Sequence, residues 1–140
     1  MVSTVWKLEI LLEGFAKVPE ALRNCEVNAL ITDSRQVEPG ALFIALAGQT
    51  QNGADYIDQA LQRGAVAVLQ ESGAIANEVV IAMSQLRQQL GEIASRFYAH
   101  PSQQLKIAAV TGTDGKSSVS HFIAAVMERL EGRAAVLGTL

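Results

Sequence analysis

Cysteine is nearly absent from this chain of 140 residues: Cys25 stands alone, which excludes any intrachain disulfide and any cysteine-based zinc cluster. That usage fits a reducing compartment, and Cys25 reads as a small buried apolar residue. A positive surplus is also missing. Eleven Lys and Arg stand against fourteen Asp and Glu, a formal net charge of -3 with pI near 5.3, so no nucleic-acid partner is expected. Long apolar runs are missing as well. The first twelve residues hold one short run, Ile10 to Leu12, preceded by Lys7 and Glu9 and followed by no small-residue cleavage site. Neither a signal peptide nor a membrane partner is expected, and the chain reads as cytoplasmic. No internal repeat or low-complexity tract occurs. What is present is a residue set 49% hydrophobic and only 18% charged, the balance of a packed, folded protein.

The length suits one ordinary domain, or a small domain with a fragment of a second. Val5, Leu8, Leu11 and Leu12 fall at helical spacing, predicting a short amphipathic helix that ends near Gly14 and lids a core. Leu30 to Thr32 and Ala41 to Leu46 read as buried strands joined by a polar turn. Tyr56, Ile57, Ala60 and Leu61 form one helical stripe closed by Gly64, and Ala65 to Leu69 reads as a further strand. Val79 to Ile81 is another, leading into a helix from about Gln85 to Tyr98 with Leu86, Leu90, Ile93 and Phe97 inward. Strands alternating with helices predict a small layered α/β amino-terminal domain over residues 1–99, with a sheet at least partly parallel.

Residues 100–104, with a proline and polar side chains, read as a linker. A second unit over residues 105–140 follows: a strand at Ile107 to Val110, a helix at Lys116 to Leu130 and a strand at Ala134 to Leu137. That helix carries Val119, Phe122, Ile123, Val126 and Leu130 on one face. One strand-loop-helix-strand unit cannot cover both faces of its own sheet. The chain is therefore expected to be the amino-terminal fragment of a longer protein, with self-association through the uncovered apolar surface.

Between the predicted strand and helix lies Thr111-Gly112-Thr113-Asp114-Gly115-Lys116-Ser117-Ser118, the setting in which a phosphate-binding loop has a mechanism. Glycines let the backbone approach phosphate oxygens, and amides at the helix start point at the anion with the positive end of the helix dipole behind them. Lys116 can reach the β- and γ-phosphates of a nucleotide, and Ser117 offers a hydroxyl to the Mg2+ that bridges them. The alternative is a glycine turn before an ordinary helix. Lysine in a first helical turn opposes the dipole unless an anion compensates it, which favours the phosphate reading. The eight-position Walker pattern asks for glycine where Val110 stands. Asp114 places a carboxylate inside an anion-binding loop, where it repels phosphate unless it is screened.

Two segments resemble the Mur ligases, which join an amino acid or peptide to a UDP-N-acetylmuramoyl precursor at the expense of ATP. The first is Asp33-Ser34-Arg35 followed by Pro39-Gly40-Ala41-Leu42-Phe43-Ile44-Ala45-Leu46, Gly48, Asn52-Gly53, Tyr56-Ile57, Ala60 and Gly64-Ala65. The second, Phe97-Tyr98-Ala99-His100-Pro101-Ser102, Leu105 and Val110-Thr111-Gly112-Thr113, is similar to the branch that adds the third residue. The resemblance implies a three-domain enzyme: a domain holding the UDP portion, a P-loop ATPase domain and a domain for the incoming amino acid. It places Thr32, Ser34 and the stretch Gln49, Thr50 and Gln51 at the uridine diphosphate. Gly112, Thr113, Asp114, Gly115, Lys116, Ser117 and Ser118 fall on its ATP loop. Lys116 takes the catalytic role there, and Ser117 the metal. From the residues alone, Asp33-Ser34 would be a side-chain-stabilised turn and Asn52-Gly53 a plain turn.

The partners so implied are UDP-N-acetylmuramoyl-L-Ala-D-Glu and a free amino acid, meso-diaminopimelate or lysine, with ATP and Mg2+ as cofactors. The family usually carries asparagine at the position of Asp114 and threonines at Ser117 and Ser118. The fragment alone is expected to be inactive, so ligase turnover by the purified chain would refute that expectation. The alternatives are a dipeptide-adding Mur ligase, a kinase or GTPase, a folylpolyglutamate synthase and a non-catalytic UDP-sugar-binding module. A kinase or GTPase would place its loop nearer the start of a domain. His100 and His121 read as linker and helix-surface or packing residues, not as catalysts.

Overall fold

The structure, a computed structural model, describes residues 5–48, 52–71 and 77–138. It divides into two compact units, Met1–Pro101 and Ser102–Leu140. The first unit opens with β1 (Trp6–Lys7) and α1 (Leu8–Leu11), followed by β2 (Glu26–Val27), β3 (Ala29–Ile31) and β4 (Ala41–Ala45). Then come α2 (Ile57–Gln62), β5 (Ala67–Gln70), β6 (Val80–Ala82) and α3 (Leu86–Phe97).

Strands β3 to β6 form one parallel sheet in sequence order, so each link must carry the chain back across the sheet. α2 and the preceding 3-10 turn Gly53–Tyr56 do this between β4 and β5. Between β3 and β4 the task falls to the short 3-10 turn Ser34–Gln36, so the predicted polar turn is a crossover and not a hairpin.

β4 is buried at all five positions, as its unbroken apolar run requires of a strand covered on both faces. Leu42 and Ile44 point into a core with Leu69, Ile81, α1 and the inward face of α3. Phe43 and Ala45 point the other way, into a smaller core with Val68 and Ala60 of α2. Full burial of each larger side chain contributes about 1.5–3 kcal/mol. β3, expected to be largely buried, is only half-buried because it forms an edge of the sheet.

α2, closed by Gly64, and α3, ending before His100-Pro101, lie where the periodicity predicts. The amino terminus differs in part. Leu8, Leu11 and Leu12 are buried as a helical lid requires, but Val5 is exposed and Trp6–Lys7 pairs antiparallel with Glu26–Val27. The Trp6 indole N–H donates to the carbonyl of Phe97 at 3.0 Å. Arg96 of α3 holds the segment from beneath. Its Nη1 donates to the carbonyls of Ile10, Leu11 and Glu13 at 3.3, 2.9 and 2.7 Å, and its guanidinium lies 4.5 Å from the Phe15 ring centroid. Carbonyls at a helix end otherwise lack partners, and a cation there also suits the dipole.

In the second unit, α4 (Lys116–Glu131) forms as expected, with Lys106 paired to Glu131. The two predicted flanking strands do not form. Neither residues 107–110 nor residues 134–137 join a ladder among the described residues. A strand exists only through hydrogen bonds to a neighbour, and apolar composition alone supplies none. α4 buries none of its residues, and Phe122 and Leu130 are 73% and 74% exposed.

Candidate functional site

Open parallel sheets hold ligands outside the carboxyl ends of their strands. At that edge β3 ends with Ile31 opposite Phe43, whereas β4 runs on through Ile44 to Ala45, opposite Gln70 of β5. Pairing of β3 thus stops two residues short of the end of β4, and Thr32, Asp33 and Ser34 leave the sheet there. Thr32 is exposed. Ser34 is buried, and its hydroxyl lies 2.6 Å from Oε1 of Gln59 on α2. The structure thus brings Thr32 to the edge but turns Ser34 inward. Gln59 is a partner that helical periodicity gave no reason to single out.

Asp33 and Arg35 close on one another. Asp33 Oδ1 accepts from the Arg35 amide at 3.0 Å and from its Nε at 3.0 Å, while Oδ2 accepts from Nη2 at 2.7 Å. This caps the 3-10 turn, as the side-chain-stabilised turn reading anticipates. Hydrogen bonds from the Arg35 side chain and then its amide hold the Asp33 carboxyl at about 2, below its usual 3.8. Because the folded-state value is lowered, the pair's contribution is complete above pH 3.8 and is lost as pH falls towards 2. Carboxyl NMR should show Asp33 titrating near 2, and higher in Arg35→Ala, which loses the guanidinium bonds but keeps the amide of residue 35. Equal midpoints in the two proteins would contradict the pairing.

Asn52 repeats the device: its Oδ1 accepts from the Ala54 amide at 3.2 Å and caps the turn leading into α2. Gly53 next to it meets a steric requirement. Its N–H donates to the Leu46 carbonyl at 2.8 Å, and a Cβ there would sit 2.7 Å from both Leu46 N and O. Gln49, Thr50 and Gln51 lie outside the described residues.

The second candidate site is the loop before α4. Gly115 stands at the amino end of this helix with φ 73°, a left-handed conformation that a side chain would disfavour. No side chain caps the helix, and no acidic residue stands in its first turn. Lys116 folds back, its ammonium donating to the carbonyls of Gly112 and of Thr113, the latter at 2.9 Å. The result is a set of helix-start amides, a cation over the loop and the Ser117 and Ser118 hydroxyls, all suited to an anion. Gly112, Thr113 and Asp114 complete this exposed loop.

Of the two histidines, His100 Nδ1 lies 3.0 Å from the Ser95 hydroxyl and His121 is exposed on α4. No described helix is long and apolar enough to cross a membrane.

Known proteins resemble this chain along most of its length. The Mur ligase family, catalytic domain, matches residues 26–98. The UDP-N-acetylmuramoyl-L-alanyl-D-glutamate--2,6-diaminopimelate ligase of Xylella fastidiosa (strain Temecula1 / ATCC 700964) is 42% identical over 127 residues, covering 88% of this chain and 26% of that protein. A match of that extent takes in both the sheet edge and the loop. A solved UDP-N-acetylmuramoyl-L-alanyl-D-glutamate--2,6-diaminopimelate ligase superposes with TM-score 0.76 at 27% identity, over 96% of this chain and 28% of that one. A UDP-N-acetylmuramoylalanyl-D-glutamyl-2,6-diaminopimelate--D-alanyl-D-alanyl ligase from Acinetobacter baumannii shares the fold, with TM-score 0.66 at 24% identity over 90% and 28%. The chain spans about a quarter of the length of the curated relatives it matches.

Proposed function

Because this chain belongs to the Mur ligase family, we propose that it serves an ATP-dependent ligase that adds meso-diaminopimelate to UDP-N-acetylmuramoyl-L-alanyl-D-glutamate. The observation that carries this reading is the 42% identity to a ligase named for that reaction, across both candidate sites. Residues 1–99 hold the uridine diphosphate, 100–104 link, and 105–140 begin the ATPase region. Such a reaction belongs in the cytoplasm, where ATP is available.

At the first site, Thr32 and the stretch Gln49 to Gln51 contact the uridine diphosphate. The inward hydrogen bond of Ser34 supports a role in holding the turn from which Thr32 reaches the ligand. At the second, helix-start amides and Lys116 cradle the ATP phosphates, with Gly112, Thr113, Asp114, Gly115, Ser117 and Ser118 around them. The γ-phosphoryl group passes to a substrate carboxylate oxygen and ADP leaves. The amino group of diaminopimelate then attacks the acyl carbon, loses a proton, and phosphate departs as the amide forms. Lys116 serves by neutralising charge that spreads over the phosphoryl oxygens.

The Ser117 hydroxyl suits Mg2+ as one ligand among phosphate oxygens and waters. The bare apolar face of α4 supports self-association, to be read from the concentration dependence of sedimentation.

Separate calorimetric titrations of the chain with UDP and with Mg-ATP test the assignment. Binding of both is expected. UDP binding alone would favour a non-catalytic module, and binding of neither would overturn the reading. Asp114→Asn removes a negative charge beside the phosphates, so Mg-ATP should bind about threefold to tenfold tighter at low salt. Equal or weaker binding by Asp114→Asn would refute that effect.

A further inference from the structure

The β4–β5 ladder ends at the Ala45–Gln70 pair, beyond which the Glu71 amide still donates to the Ala45 carbonyl at 3.3 Å. Ala47, past that end, bridges antiparallel to Asn52, and the Gly53 amide donates to the Leu46 carbonyl. Among the described residues no strand pairs with the other side of Ala47. Two side chains stand in for one: Glu71 Oε2 accepts from the Ala47 amide at 3.2 Å, and Arg87 Nη2 donates to the Ala47 carbonyl at 2.6 Å. Arg87 Nη2 also lies 3.5 Å from Glu71 Oε2, so one acid and one base hold both polar groups of a single residue and each other.

Arg87 stands in the first turn of α3, where a cation opposes the helix dipole. Glu71 and the Ala47 carbonyl offset that placement. The Glu71 side chain is 20% exposed and the Arg87 side chain 57%, so water competes with the clamp but does not surround its acid. Packing does not require a charge at either position, because neither side chain belongs to a hydrophobic core.

We infer that Glu71 and Arg87 are positioning residues that fix the root of the turn after β4, and through it the affinity of the sheet edge for a uridine diphosphate. The affinity part rests on the proposed function above; the positioning part rests on the geometry alone. The clamp acts on Ala47 and on the Leu46–Gly53 closure, not on substrate, so its loss should weaken UDP and leave Mg-ATP unchanged.

The experiment uses the 140-residue chain and its Arg87→Ala, Arg87→Lys and Glu71→Gln variants, with UDP and Mg-ATP as probes. Amide hydrogen exchange at Ala47 and Gly53 is measured in parallel. Arg87→Ala should weaken UDP about tenfold and speed exchange at both amides by a similar factor, the scale of one charge-assisted hydrogen bond. Arg87→Lys keeps one donor and should recover most of both effects. Glu71→Gln should speed exchange at Ala47. Wild-type protein that binds UDP beside an Arg87→Ala variant within twofold of it would overturn the affinity claim. Unchanged exchange in both Ala47 and Gly53 would overturn the positioning claim. Wild-type protein that fails to bind UDP would overturn the proposed function instead, while the exchange data still decide whether the clamp exists.

Discussion

Gly53→Ala should destabilise the first unit by about 3 kcal/mol, although it adds only one methyl group. The new Cβ would lie 2.7 Å from Leu46 N and O and 2.8 Å from Ala45 C, all of them backbone atoms that no rotamer change can move. Relief requires opening the Gly53–Leu46 hydrogen bond and displacing the end of β4. For a unit of this size the melting temperature should fall by roughly 12 °C or more, and UDP binding should disappear with the turn. Gly91→Ala is the matched control. Gly91 lies inside α3 with nothing within 4 Å of its would-be Cβ, so alanine there should raise stability by about 0.8–1 kcal/mol through helix propensity. Scanning calorimetry of both variants checks the pair, and a Gly53→Ala protein that melts with wild type would remove the close-approach account.

Lys116→Ala should weaken Mg-ATP by about a hundredfold or more while leaving UDP binding unchanged. Two losses combine: the cation that would face the phosphates, and the two hydrogen bonds that tie it to the Gly112 and Thr113 carbonyls and shape the loop. Lys116→Arg should restore little. A planar guanidinium has a different reach and hydrogen-bonding geometry from a compact ammonium. Calorimetric titration with Mg-ATP and with UDP separates the two sites. An alanine variant that keeps wild-type nucleotide affinity would show that the loop is an ordinary glycine turn.

Elements whose signal is local were legible in the sequence. α3 follows from Leu86, Ile93 and Phe97 at helical spacing with Pro101 beyond, and it lies over Leu86–Phe97. β4 follows from an unbroken apolar run, and the structure buries all of it. Features decided by a distant partner were not legible. Trp6–Lys7 is a strand only because Glu26–Val27 pairs with it. Residues 107–110 carry the apolar residues of a strand but join no ladder among the described residues, so composition misled there. At the site, Asp33 and Asn52 were readable as turn formers, since each caps a turn two residues on. The inward turn of Ser34 to Gln59 and the backbone contact at Gly53 depend on segments that meet only in the folded unit.

Arg96 carries a consequence for the order of folding during synthesis. Its bond to Leu11 spans 85 positions, so the amino-terminal segment emerges from the ribosome long before the residue that fastens it. At about 5–20 residues per second, that delay is on the order of 4 to 17 s. The β1–β2 ribbon is local and can form early, but full burial of Leu8, Leu11 and Leu12 must wait for α3, which completes their core. Until then the nascent chain carries part of this apolar cluster in the open, and a chaperone that binds short hydrophobic stretches would meet it during that interval.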